Sequence, residues 1–440
     1  MLFSNDIPGF FAEGDLAQIG LKAHPSVPED YLLIDYELET NLDPKLTLAS
    51  LCSEQSTAQW VRPGKQEDLR GKFGAKCVAY EVSGESNKPL YAWPWVAGNK
   101  FIRLKARIAH PLINFGPHIP NLLSAVAGEG AFYCPGVTCL RITNLHFPSS
   151  FLKLFEGPQF GLSGIREKLK VFDRPIFVGV VKPNIGLDSQ DFSDTAYASF
   201  LGGLDIAKDD EMLANPPASS FEERIKKSAL AARKAERITG KNKMYLANIT
   251  DEIDEMMGLV QKATLLGADM VMVNAFFTGM SGLRHVRRHC KLPIMSHFTG
   301  MALYDRVLFF GMDGVVTTKL QRLLGADIIG LPGFGERMQT TDEQVLKNME
   351  ACLESMGNIK PSLPIPGGSD WAGTLPKLFE KIGHTDFGFI AGRGVFNHPD
   401  GPEGGAKSLN EAWEAISQKI SLEKYAETHP ALGKALKMFG

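Results

Sequence analysis

PIFVGVVKP (Pro175–Pro183) and LDIAKDDE (Leu204–Glu211) are two short apolar, β-rich runs, separated by a longer stretch of mixed polarity. The same unit recurs in MYLANIT (Met244–Thr250), ADMVMVNAF (Ala268–Phe276), PIMSHF (Pro293–Phe298), ADIIGLPG (Ala326–Gly333), SLPIPGG (Ser362–Gly368) and FGFIAGRG (Phe387–Gly394). Between and after them come amphipathic stretches such as FEERIKKSALAARKAERITG, TDEQVLKNMEACLESMG and SLNEAWEAISQKI. Thr, Asp or Ser stands near their starts and Gly closes the first two, as helix ends require. Strict alternation of this kind is the mark of repeated βα units. Eight units over ~250 residues are what a closed (β/α)8 TIM barrel needs. A doubly wound open sheet has the same alternation but more often carries five or six strands, so the count favours the barrel.

Upstream, the pattern changes. DYLLIDYEL, KCVAYEVSG, FIRLKARIAH and VTCLRITNLHF read as strands, with helix-like DPKLTLASLC and NLLSAVAGEG among them. This predicts an N-terminal α+β domain of ferredoxin-like type over residues 1–150, and the barrel with a C-terminal helical tail over 151–440. The whole chain has 440 residues, 44% apolar and 22% charged, with a formal net charge of −3 from 47 Lys+Arg and 50 Asp+Glu. That is a globular composition, and the balanced charge argues against a nucleic-acid partner, which calls for a basic excess. No apolar run reaches the ~18 residues of a membrane span, and MLFSNDIPGF lacks the basic and apolar segments of a signal peptide, so a cytoplasmic location is expected. The six cysteines show no C-x-x-C spacing and are expected to be reduced and buried rather than zinc ligands.

In a barrel, chemistry is carried at the C-terminal ends of the strands. In LDIAKDDE, alternation points Lys208 and Asp210 to one side and Asp209 to the other, while Glu211 falls at the loop and can swing back. Two carboxylates there suit a hard divalent cation. Lys208 does not, since an ammonium cannot coordinate a metal; it either neutralises the acids or reacts with CO₂ to become an oxygen donor. A solvated charge run is the plainer alternative. At the end of the first strand, Lys182 and Asn184 share a face; a lysine beside a dication serves as a general base when its pKa is lowered, or simply pairs with the acids. Glycine turns after strands seven and eight (Gly367, Gly368, Gly392), with Arg393 beside the last, suit a phosphate or are merely turns. His297, ending strand five, is a candidate acid, base or hydrogen-bond donor, or a structural histidine. Arg284, His285, Arg287, Arg288 and His289 read as the solvated face of a barrel helix rather than an RNA patch.

GVVKPNIGL followed by GGLDIAKDDEM resembles the large chain of ribulose bisphosphate carboxylase. SEQSTAQW, HIPNLLSAVAG, FEGPQFGLSGIREKL, SHFTGMALYDR, PGGSD and GRGVFNHPDG have counterparts in the same order. The resemblance implies that Lys208 is carbamylated by CO₂ and binds Mg²⁺ with Asp210 and Glu211, and that Lys182 is the enolising base. It implies a phosphate held by Gly367, Gly368, Gly392 and Arg393. It also implies a homodimer with shared active sites, in which Glu54 and Asn121 of a neighbouring subunit close the site.

The departures from the carboxylase pattern are specific. Asn184 stands where carboxylases have a second lysine, Phe298 replaces an arginine, Met301 and Gly330 replace histidines, and Pro366 replaces a serine; the mobile-loop lysine has no match in PGFGERMQT. This is the pattern of the form IV, Rubisco-like proteins, most similar to the type from photosynthetic bacteria. Phe298 and Met301 make the far end of the pocket apolar, which predicts a small substrate with one phosphate and an uncharged, methylthio-like tail. Related Rubisco-like proteins enolise or isomerise phosphorylated methylthio-sugars of methionine salvage, so a Mg²⁺-dependent enolase or isomerase is the expectation. The rivals are a role in sulfur metabolism or oxidative-stress response with another substrate, a non-catalytic scaffold, and an authentic carboxylase, which the missing groups disfavour.

Overall fold

A computed structural model describes residues 29–58, 69–94, 96 and 98–440. The opening MLFSNDIPGF, and Gln59 and Trp60 of the SEQSTAQW motif, lie outside the described residues. The strands in chain order are β1 (Tyr31–Thr40), β2 (Lys76–Ser86), β3 (Phe101–Pro111), β4 (Val137–His146), β5 (Ile176–Val180), β6 (Ile206–Lys208), β7 (Met244–Asn248), β8 (Met270–Val273), β9 (Ile294–Ser296), β10 (Phe310–Met312), β11 (Ile328–Pro332), β12 (Leu363–Gly367) and β13 (Gly388–Ala391). The chain divides into two units. One holds the described residues up to Phe155 with Gly300–Leu320 and Met356–Asn358; the other holds Glu156–Thr299, Gln321–Ser355 and Ile359–Gly440.

The first unit is a five-stranded sheet in the order β10-β4-β1-β3-β2. β1 is antiparallel to both β3 and β4, β2 is antiparallel to β3, and β10 is parallel to β4. With helices Pro44–Glu54 and Ile119–Val126 between strands, β1 to β4 have the β-α-β-β-α-β connectivity of a ferredoxin-like layer. Asp43 starts the first helix by accepting the Lys45 and Leu46 amides at 2.9 and 3.2 Å, with Pro44 at the first position, where its missing N–H costs nothing. Tyr36 of β1 donates to Val126 O at 2.8 Å, tying the end of the second helix to the sheet. β10 has no counterpart among the expected strands. Its three residues are too short to show a period, and they extend a sheet whose other strands lie about 160 residues or more away in sequence.

In the second unit, eight parallel strands run in the order β12-β11-β9-β8-β7-β6-β5-β13. All eight expected barrel strands are present. The ring closes where β12 meets β13: a Cβ on Gly388 would stand 2.7 Å from Ile365 Cγ1, and one on Gly367 would stand 2.9 Å from Ile390 Cγ2. Val178, Ile206, Leu246, Met270, Met272, Met295, Ile328 and Ile365 form one buried cluster, joined by Ile165 and Leu169 of the helix Gly161–Leu169. This filled interior leaves the strand ends as the place for chemistry.

Two of the expected helices have their predicted N-caps, and the first also its glycine C-cap. Phe221–Thr239 starts on Ser220 and ends on Gly240 at φ +65°, and Asp342–Leu353 starts on a Thr341–Gln344 capping box but stops at Glu354, short of Gly357. The third begins at Gly401 with Pro402 in its first turn, seven residues before the expected Ser408. Gly404 and Gly405 read as helix breakers, yet a Cβ on Gly405 would lie 2.2 Å from Val395 O. They are needed for close approach rather than for a turn. The six cysteines are free and buried, and no helix among the described residues is long and apolar enough to cross a membrane.

Candidate active site

β6 ends on Lys208, and the next three residues behave as period two requires. Asp209 turns outward into a buried network in which Arg224 Nε and Nη2 approach its oxygens at 3.3 and 3.4 Å, the Asn248 amide donates at 2.9 Å, and the Tyr245 hydroxyl also donates. Lys208 and Asp210 turn the other way and are fully buried. Glu211 swings back from the loop, placing Oε2 3.8 Å from Lys208 Nζ. Its backbone carbonyl is pinned by the side-chain amides of Asn248 and Asn274, each at 3.0 Å. The outward turn of Asp209 is the one that alternation predicts, whereas Asn248 and Asn274 were not singled out from the sequence; Asn at the end of a strand was the only signal they offered.

Lys182, beyond β5, donates to Asp210 Oδ2 at 2.8 Å and to Asn184 Oδ1 at 2.6 Å. Strands one and two therefore deliver their charged ends to one point. A Cβ on Gly392 would lie 3.2 Å from Lys182 Cε, so the glycine turn of β13 borders the same point. Among the described residues Lys208 Nζ has no hydrogen-bond partner. Burial, the largest cause, pulls its pKa below the ordinary lysine value, against the carboxylates of Glu211 and Asp210 and with the help of Lys182. Burial without a hydrogen-bond partner is costly for an ammonium and disfavours the charged form, with the carboxylate of Glu211 at 3.8 Å offsetting part of the cost.

His297 Nε2 stands 3.6 Å from Glu211 Oε2, and its Nδ1 receives the Thr299 amide at 3.2 Å. An amide can only donate, so Nδ1 is the bare nitrogen of the neutral ring and Nε2 carries the hydrogen facing the site. Burial, then the charges of Lys208 and Lys182, hold the imidazole pKa well below its usual range. Phe298 stacks on His297 with ring centres 4.7 Å apart, and it occupies the space above Gly330, whose added Cβ would meet Phe298 Cδ1 at 3.5 Å. The glycine on β11 thus lies beneath the aromatic ring that follows β9, with Met295 Cε its tightest neighbour at 3.2 Å from an added Cβ.

Gly367 and Gly368 lie at the end of β12, where Gly333 donates to Gly367 O at 3.0 Å. Arg393 is exposed, with its guanidinium 6.0 Å from the centre of the Phe439 ring. Glu54 ends the helix Pro44–Glu54, Asn121 lies exposed on Ile119–Val126, and Met301 is buried; all three belong to the first unit. The basic cluster near Arg287 is tied down rather than free, since Arg287 donates to Gly157 O at 2.8 Å and Arg288 pairs with Glu156 at 3.2 Å. Among the described residues no three His, Cys, Asp or Glu side chains form a ready metal-ligand group. At the end of β6 the carboxylates of Asp210 and Glu211 are gathered near Lys208 Nζ, Glu211 at 3.8 Å.

Comparison with known proteins gives this arrangement a family. Residues 161–439 match the catalytic domain of the ribulose bisphosphate carboxylase large chain. A ribulose bisphosphate carboxylase-like protein of Allochromatium vinosum is 49% identical over 439 residues, covering 99% of this chain and 94% of that one. The octameric ribulose-1,5-bisphosphate carboxylase/oxygenase of Pyrococcus horikoshii superposes with a TM-score of 0.86 at 30% identity, covering 96% of each chain. A dimeric archaeal Rubisco from Hyperthermus butylicus does so with a TM-score of 0.84 at 28% identity, over 97% of this chain and 99% of that one. The chain belongs to the ribulose bisphosphate carboxylase large-chain family, within its Rubisco-like, form IV branch.

Proposed function

We propose that this protein is a Mg²⁺-dependent enolase or 1,3-proton-transfer isomerase of a ketose monophosphate with an uncharged, methylthio-type tail, and not a carboxylase. The observation that carries the reading is Lys182 Nζ held between Asp210 and Asn184, beside a buried Lys208 Nζ that has no hydrogen-bond partner among the described residues. A neutral buried amine is the form that reacts with CO₂; a carbamate on Lys208 releases a proton and adds the oxygen donor that Asp210 and Glu211 lack. Bound by these three residues, Mg²⁺ would stabilise the enediolate charge formed next to the substrate carbonyl. Lys182, once it has given its proton to solvent, takes the proton from the carbon beside the carbonyl, and Asn184 fixes its direction. His297 offers its Nε2 hydrogen to the substrate oxygens. Phe298 over Gly330 favours an apolar tail where a bisphosphate needs positive charge. The turns at Gly367, Gly368 and Gly392, with Arg393, hold the single phosphate.

The dimeric and octameric relatives support a homodimer in which Glu54 and Asn121 from a second copy complete each site. The cytoplasm is the proposed location, and methionine salvage or related sulfur metabolism the setting. The test follows proton exchange by NMR in D₂O with Mg²⁺, bicarbonate and a panel of ketose monophosphates that includes 5-methylthioribulose 1-phosphate. Exchange at the carbon beside the carbonyl is expected, with at least a 10²-fold loss in Lys182→Ala. Exchange that persists unchanged in that variant rules out Lys182 as the base, and absence of exchange with every member points to another substrate in sulfur metabolism or to a scaffold.

A further inference from the structure

The glycine turn after β12 contains an acid that the proposed reaction does not use. Asp370 is 5% exposed; its Oδ2 accepts the Gly368 amide at 3.1 Å and its Oδ1 accepts the Thr374 hydroxyl at 3.2 Å. Ser369 between them has φ +64°, which folds the chain back so that Asp370 reaches the amide two residues earlier. The turn is wedged on both sides. A Cβ on Gly368 would stand 2.7 Å from Met338 Cγ and 3.2 Å from Phe334 O, and one on Gly394 would stand 2.6 Å from Asp370 O. The backbone of the turn is therefore held on both sides, and the carboxyl is set beside the amide it would have to release.

An anion seated on glycine amides needs their N–H groups free and no negative charge behind them. At this turn the Gly368 amide is already held by a carboxylate, which competes for the donor and repels the incoming charge. Adding a proton to Asp370 removes the repulsion and weakens its hold on the amide. We propose that anion binding at the Gly367–Gly368 turn is coupled to uptake of one proton by Asp370, so that the site grips its anion in neutral or mildly acidic solution and releases it in alkaline solution. The proposal rests on the reading that this turn holds the substrate phosphate.

The charged groups on the elements packed around the turn do not compensate the carboxyl. Arg337, in the 3-10 turn Glu336–Met338, donates to Ser369 Oγ at 2.6 Å; Glu336 is exposed beside it. Arg393 lies over Phe439, Lys381 lies over Phe334, and Lys182 is engaged with Asn184 and Asp210. Burial accordingly pushes the Asp370 carboxyl up to about 7, with the Gly368 and Thr374 hydrogen bonds acting the other way.

Sulfate is the probe, because it stays dianionic across the range. Its binding to the full chain is measured by calorimetry from pH 6 to 8.5, in pairs of buffers with different ionisation heats. The expected result is an affinity that falls more than tenfold between pH 7 and 8.5, with close to one proton taken up per sulfate at pH 8. Asp370→Asn should bind sulfate with a nearly constant affinity and no proton uptake. Sulfate binding without proton uptake in the unaltered protein, or an equal pH dependence in Asp370→Asn, overturns the coupling while leaving the phosphate site standing. Failure of sulfate to bind even at pH 6 overturns the phosphate reading itself. The proton count on the unaltered protein decides the matter if the Asn variant does not fold.

Discussion

A buried polar group left without a partner costs about 1–3 kcal/mol, and more when it is charged. Lys208 is such a group, which is why it is informative. Lys208→Met should raise the stability measured by urea unfolding in CO₂-free buffer by about 1–3 kcal/mol. Excess bicarbonate and Mg²⁺ should then stabilise the unaltered protein and leave the variant unmoved. Equal midpoints in all conditions would tell against a site awaiting CO₂ and metal. Phe298 makes a separate point at the same scale. Its ring stacks on His297 and lies against Gly330. Phe298→Ala should raise KM for a methylthio-tailed substrate roughly tenfold while kcat changes little, as loss of uniform binding requires.

The end of β6 works as a unit. Its outward acid, Asp209, pairs with Arg224, and both side chains are fully buried. Removing one partner strands the other, so Asp209→Ala should cost about 3–5 kcal/mol in urea unfolding, far more than an exposed ion pair. The same variant should weaken Mg²⁺ binding, because the strand end that aims Lys208 and Asp210 loses its anchor. The turn after β12 gives a pH signature. The Asp370 carboxyl moves from 3.8 to about 7 on folding, so between those values the folded chain keeps a proton that the unfolded chain releases. Its contribution is full below about pH 4 and is lost as pH rises through about 7. The melting temperature of Asp370→Asn should therefore gain on that of the unaltered protein across this window and run parallel above it.

For the molecule as a whole, the proposed shared site makes assembly a catalytic matter. Light scattering should give at least twice the 48.2 kDa chain mass. Glu54→Ala and Lys182→Ala should each be nearly inactive in proton exchange. Mixed and allowed to exchange subunits, they should recover about a quarter of native activity, because a random hybrid dimer contains one intact site. No recovery in demonstrated hybrids would place each site within a single chain.

The barrel was legible in the chain because its signals are local. Apolar runs of four to nine residues, charged or glycine-rich at their C-terminal ends, specify strand, direction and mouth without knowledge of any distant neighbour. The trio at Lys208, Asp210 and Glu211 was legible for the same reason, since alternation along one strand sorts inward from outward groups. Long-range packing decided the rest. β10 exists because β4 offers it an edge, and three residues carry no period of their own. The helix from Gly401 runs through two glycines because Val395 leaves no room for a side chain at Gly405, and Asp400 and His398 leave none at Gly404. Arg224 and Tyr245 became partners of Asp209 only when β6, β7 and the helix between them closed on one another. Asp370 carries no signal of its own within PGGSD, and only folding buries it against the Gly368 amide. Such contacts join residues far apart in the chain, or depend on what is excluded around them, and no local period or composition records them.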